Sequence, residues 1–294
     1  MWKSPYAVPQ APLAPDPAGR WQANLDLRFE RRAERTVLAG RRHDGPLRVQ
    51  KALYPEGPAI CHVIVLHPPA GIVGGDALTI GLEVAERAHA CITTPGAAKW
   101  YRSSGPLASQ QVSVGLGEGS VLEWLPQEAI FFDGARARTR LQLVMHASAR
   151  FFGWDLICLG RRASAETFIT GSIDMETRID TEDGPLWLEK GLLAGADPML
   201  SSAVGLAERS VCATLLVVGL VPEPSLLAAC RAASVDEAGA LAGLTCLPGP
   251  PGLLVGRYLG HSAQAARAWM FALWRLLRPA LVQREASAPR IWST

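Results

Sequence analysis

From residue 36 to about 190, apolar and polar residues alternate with a period of two. No other feature of the chain limits its fold so strongly, because that period belongs to strands with one buried face. In "LTIGLEV", Leu78, Ile80, Leu82 and Val84 share a face, and Thr79, Gly81 and Glu83 share the other. "QVSVGL" repeats the pattern with Val112, Val114 and Leu116, and "TRLQLVM" with Leu141, Leu143 and Met145. Glycine, proline and short polar clusters break the runs at intervals of roughly 8–12 residues, a spacing that predicts stacked antiparallel sheets.

A weak repeat runs through the same region. With an offset of 31, Pro95 falls on Pro126, Ala98 on Ala129, Trp100 on Phe131 and Tyr101 on Phe132. A fainter third copy begins near Arg150, in "RFFGWDLICLG". Repeats of this length are laid down layer by layer; two clear copies are equally compatible with a sandwich of similar hairpins.

After about residue 220 the pattern changes. "PEPSLLAACRAASVDEAGALAGL" is rich in Ala and Leu and predicts one or two helices. "SAQAARAWMFALWRLLRPAL" is the strongest helix in the chain, with Ala266, Trp269, Met270, Leu273 and Leu277 on one stripe. Ser262 is placed to cap it. Arg267, Arg275 and Arg278 fall toward other faces, Trp274 lies beside the stripe, and Pro279 should end or kink the helix. The expected fold is mainly β: a large layered sheet, either a sandwich or a helical type of stacking, with a small C-terminal α-helical part. The expected boundaries are a flexible N-terminal arm at 1–20, carrying five prolines, and one domain at 21–294. Within it, 36–220 is β-rich and the helices fall within 223–283.

Composition removes several functions. A net charge of +2 with no block of Lys and Arg argues against nucleic acid. No apolar run reaches the roughly 18 residues of a membrane span. The six cysteines are scattered, without a C-x-x-C pair. With no secretory signal in view, they read as buried thiols of a cytoplasmic protein.

The loop "HPPAGIVGGD" invites a phosphate-binding reading. A P-loop requires Lys after its last glycine, and Asp76 follows Gly75 here. A dinucleotide fingerprint requires a helix next, and "ALTIGLEV" is an alternating strand. Gly71, Gly74 and Gly75 are therefore expected to serve a sharp strand-to-strand connection. Asp76 either caps that turn or lines a polar passage.

Other chemistry finds little support. His62 and His67 stand five residues apart on a strand, roughly 17 Å and on opposite faces. No H-E-x-x-H motif or EF-hand loop is present, nor a G-x-S-x-G elbow. Glu128 and Asp133 are separated by a strand and read as surface acids or turn formers. With Asp76 they are the candidates for weak, transient metal contact. No catalytic residue and no tightly bound cofactor are expected.

Several blocks, in order, then resemble a known family: "GPLRVQKALYPEG" from Gly45, "CHVIVLHPPAGIVGGD" from Cys61, "TTPGAAKWYRS" from Thr93, "EWLPQEAIFFDGA" from Glu123, "GRYLG" from Gly256 and "PRIWST" from Pro289. They are similar to the urease accessory protein family UreD, called UreH in some bacteria, from about residue 20 to 294. Two positions depart from the family pattern, where Ala98 and Ala129 stand in place of Thr. The resemblance implies a non-enzymatic chaperone role in metallocentre assembly, with nickel inserted into apo-urease. It implies direct binding of UreF, binding of the GTPase UreG through UreF, and contact with apo-urease. Nickel in transit, crossing an internal passage, is implied as well. A stand-alone nickel-binding carrier is the alternative, and a hydrolase using scattered acids a distant third.

Overall fold

The 31-residue repeat is one turn of a coil. In the computed structural model, which describes residues 21–293, Ala98, Lys99 and Trp100 pair in parallel with Ala129, Ile130 and Phe131. The same step relates longer strands. The chain passes from β4 (Ile60–Leu66) to β5 (Ala77–Val84), β6 (His89–Thr93), β7 (Ala98–Trp100) and β8 (Ala108–Leu116). It continues through β9 (Val121–Leu125), β10 (Ala129–Phe131), β11 (Arg136–Met145), β12 (Arg150–Leu159) and β13 (Ser172–Thr181). Strands β5, β8, β11 and β13 pair in parallel in one sheet, and β4, β6, β9 and β12 in the other. The faint third copy is real: β12 pairs with β9 at its start and with β10 at its end, so one strand spans what the earlier coils split in two.

The expectation of antiparallel sheets is therefore corrected. Alternation specifies which face is buried and is silent on direction. Because each coil makes one pass through each sheet, a strand's hydrogen-bonded neighbour arrives a full coil later, running the same way. Antiparallel pairs occur at the ends. β1 (Gln22–Arg32) joins β5 in parallel, and β2 (Arg35–Asp44) folds back on β1. β3 (Arg48–Val49) pairs with β4, and β14 (Gly184–Ala194) closes the first sheet against β13. β15 (Val211–Val218), β17 (Leu253–Gly260) and β16 (Leu241–Leu247) extend the second sheet beyond β12. Strands thus begin at Gln22 and recur as late as Gly260, and the arm expected at 1–20 lies outside the described residues.

Of the helices expected within 223–283, the first is short. It is α2 (Pro224–Arg231), which stops where its sequence was expected to stay helical; a one-turn α1 (Pro198–Ser201) precedes that region. The following "LAGLTCL" pairs with β17 as β16, where ladder pairing overrides the helical preference of Ala and Leu. α3 (Ala263–Val282) forms as expected, and the Ser262 hydroxyl accepts from the Ala265 amide at 3.1 Å. Pro279 does not end it, since the helix runs on to Val282. No helix among the described residues is long and apolar enough to cross a membrane.

Two apolar layers result. Leu25, Val63, Ile80, Val114, Leu143 and Phe151 fill the space between the sheets. Phe152, Leu156, Leu215, Trp269 and Leu273 fill the space between the second sheet and α3. The second sheet is buried on both faces, which explains its nearly continuous apolar strands.

Candidate functional site

The glycine loop is the first coil's turn toward the next sheet. A Cβ on Gly71 would stand 1.9 Å from the Tyr101 ring, and one on Gly74 would meet Ser103 Oγ at 2.2 Å and the Pro106 carbonyl at 2.9 Å. Gly75 has φ of +100°, which side-chain-bearing residues rarely adopt. A strand follows, so no helix N-terminus faces the loop. Asp76 is buried beneath it. Its Oδ1 accepts from the Trp21 amide at 3.1 Å and its Oδ2 from the Val73 amide at 2.9 Å.

Asp133 does similar work two coils on. Its Oδ1 accepts from the amides of Ile169 (2.9 Å) and Thr170 (2.7 Å), and its Oδ2 pairs with Arg102 at 2.9 Å. Burial raises this carboxyl, and those backbone donors more than offset it, leaving it below its usual range. Glu128 pairs with Arg267 on α3 at 3.2 Å. The three acids singled out by sequence are thus held by separate partners. Among the described residues, no three His, Cys, Asp or Glu side chains converge as a metal cage.

A buried charge cluster that the sequence analysis did not anticipate lies under α3. His62, Cys91 and Glu123 lie side by side on β4, β6 and β9, on the face toward the helix. Glu123 has no solvent exposure. It accepts from Trp274 Nε1 at 2.6 Å, from Arg278 Nε at 2.8 Å and from His89 Nε2 at 2.7 Å. Arg278 also reaches Glu56 through Nη2 at 2.9 Å, and His62 Nε2 lies 2.7 Å from Glu56. Arg278 and Trp274 therefore belong to the buried side of α3, contrary to their expected placement. The signal available was weak: an acid inside "VLEWL". Burial raises the Glu123 carboxyl, but His89 and Arg278 reverse this and hold it at about 2. The Cys91 thiol beside it is pushed well up by burial and by the Glu123 charge. Every strong donor and acceptor here is engaged, so the cluster latches α3 to the sheet.

An open space lies elsewhere. A cavity of about 310 Å³ separates the two sheets beside β7 and β12. Gln110, Thr139 and Thr177 line it from the first sheet, and Trp100 and Asp155 from the second. His67 enters from the turn after β4. The buried His67 Nε2 and Trp100 Nε1 have no hydrogen-bond partner within the protein. Burial lowers the His67 pKa, opposed by the Asp76 charge. Asp155 sits between Trp154 and Leu156, which face α3, and so points into the cavity. Its carboxylate is water-accessible there yet walled by protein, and burial, aided by Glu189, raises it to about 6. A lone acid within the apolar run "FFGWDLICL" was the clue to this residue. The thiols are poor nucleophiles: burial pushes Cys158 and Cys212 up to about 12.

Comparison with known proteins decides the family. The profile of the UreD urease accessory protein matches residues 22–293. The chain belongs to the UreD family. It is 53% identical over 285 residues to the urease accessory protein UreD of Dechloromonas aromatica, covering 95% of this chain and 97% of that one. It is 48% identical to UreD of an Azoarcus species, covering 93% and 94% of the two chains. To UreD of Pseudomonas aeruginosa it is 47% identical, covering 93% and 95%. The chain is thus a urease accessory protein with a role in urease maturation, an accessory rather than a catalytic part.

Proposed function

We propose that this chain is the scaffold through which nickel reaches apo-urease. It binds UreF directly and UreG through UreF, presents the pair to apo-urease in the cytoplasm, and performs no catalysis itself. The nucleotide chemistry then belongs to UreG, in keeping with a glycine loop here that leads into a strand.

The observation that carries the reading is the cavity between the sheets. Its walls offer scattered hydrogen-bonding groups, one imidazole and two carboxylates, Asp155 and a Glu176 already paired with Lys190 at 3.2 Å. Nickel in transit needs oxygen and nitrogen ligands that hold weakly, since a tight cage would retain it. Asp155 and His67 meet that need. A transit role for Asp76, Glu128 or Asp133 would first have to open the bonds that each now makes.

Two measurements test this. The chain should co-purify with UreF, and with UreG only when UreF is present. Equilibrium dialysis of the isolated chain should show weak nickel binding. Tight stoichiometric nickel would favour the stand-alone carrier instead.

A further inference from the structure

The coils turn through two unlike kinds of corner. On one side, 85–88, 117–120 and 146–149 are four residues each. On the other, the chain runs through the longer 67–76, 101–107 and 160–171, with 132–135 the one four-residue turn among them. None of the exposed large apolar side chains among the described residues lies on a short corner. Val73, Tyr101, Leu107 and Ile169 all lie on the long ones, and Ile169 is 61% exposed.

These residues form one connected surface. Tyr101 packs edge-on to Phe132 at 4.8 Å, and the Arg161 guanidinium lies 4.3 Å over the Phe132 ring. Asp133, next to Phe132, holds both Arg102 and the Ile169 amide. The Gly75 amide donates to the Leu107 carbonyl at 3.1 Å, and Arg136 Nη1 donates to the Gly105 carbonyl at 2.7 Å. Arg102 and Arg161 are paired with Asp133 and Glu166, but Arg136 and Arg162 have no carboxylate partner among the described residues. Exposed aromatic and aliphatic groups set among arginines are the composition of an interface core, where Tyr and Arg carry much of the binding energy. In repeat folds, the long insertions commonly gather on the binding face.

We infer that the long-loop corner is a protein-docking surface. Its partner presents an apolar centre fringed by carboxylates. The apolar centre covers Tyr101, Leu107 and Ile169, and the carboxylates meet Arg136 and Arg162. This rests on the reading that the chain works in an assembly with UreF, and purified UreF is therefore the probe.

The experiment measures capture of UreF by the full chain carrying Ile169→Asp, or Arg136→Glu with Arg162→Glu. Leu188→Asp with Leu192→Asp, on the outer face of β14, is the comparison. All five substituted side chains are solvent-facing, and melting curves confirm the fold of each variant. The corner variants should bind UreF at least tenfold more weakly, and raising salt should weaken wild-type capture more than capture by the arginine variant. The β14 variant should bind as wild type. Unchanged capture by both corner variants, or loss confined to the β14 variant, would overturn the docking surface and leave the scaffold reading standing. A wild-type chain that fails to bind UreF would overturn both.

Discussion

Glu123 and Arg278 lie 155 residues apart in sequence and meet at 2.8 Å with neither side chain exposed to solvent. One comes from the middle of the coil and the other from the last turns of α3. The pair fixes where the helix sits on the sheet. Arg278 also holds Glu56 and donates to the Glu285 carbonyl, so one guanidinium ties the helix, the second sheet and the C-terminal segment together.

Removing Arg278 leaves two buried carboxylates without their common cation. Arg278→Met should therefore cost about 3–5 kcal/mol, the usual penalty for breaking one side of a buried pair. Glu123→Gln should cost less, because Arg278 keeps Glu56. Urea denaturation of both variants checks the order, and equal losses would contradict it.

The same pair sets a dependence on acid. Glu123 titrates at about 2 in the fold against 4.5 for the ordinary group. A carboxyl depressed by folding stabilises above its unfolded value and loses that contribution as pH falls toward the folded one. The contribution is on the order of 3 kcal/mol at neutral pH, lost between about pH 4.5 and 2. Melting temperature measured across that window should fall less steeply in Glu123→Gln than in wild type. Parallel curves would show that the carboxylate contributes nothing.

Gly74 is needed for space. Gly74→Ala pushes a methyl against the Pro106 carbonyl and Ser103, and should cost about 1–3 kcal/mol, as overpacking does. Ser103→Gly in the same chain should recover part of the loss. No recovery would place the strain in the backbone alone.

Asp76→Asn tests the turn cap and the cargo contact together. Both carboxylate oxygens accept from backbone amides, and an amide side chain can replace only one. The variant should be about 1–2 kcal/mol less stable. At a temperature where it remains folded, it should still bind UreF and support urease activation. Normal assembly with poor activation would instead give Asp76 a part in nickel transit.

Much of the fold was legible because local pattern and packing agree. The offset that places Trp100 on Phe131 is physical, since their rings stack at 5.2 Å. The stripe from Ala266 to Leu277 is buried as its spacing requires. Strand direction was not legible, because Leu78 and Leu82 alternate identically in parallel and antiparallel sheets. β16 was missed because only pairing with β17 makes "LAGLTCL" a strand. The Glu123 latch was invisible for a different reason. Its members come from four separate segments, and a helical wheel gives Arg278 no partner until the sheet beneath it is known. Asp155 escaped notice because a single acid in a strand carries no motif, and only the cavity gives it a setting.

The most direct test of the scaffold reading is activation of purified apo-urease by nickel, GTP, UreF and UreG, with and without this chain. Activity should appear only when the chain is present. It should fall sharply for Thr139→Phe, which narrows the cavity between the sheets, even when that variant still captures UreF. Equal activation without the chain would contradict its role as the scaffold, and full activation by a folded Thr139→Phe protein would contradict passage through the cavity.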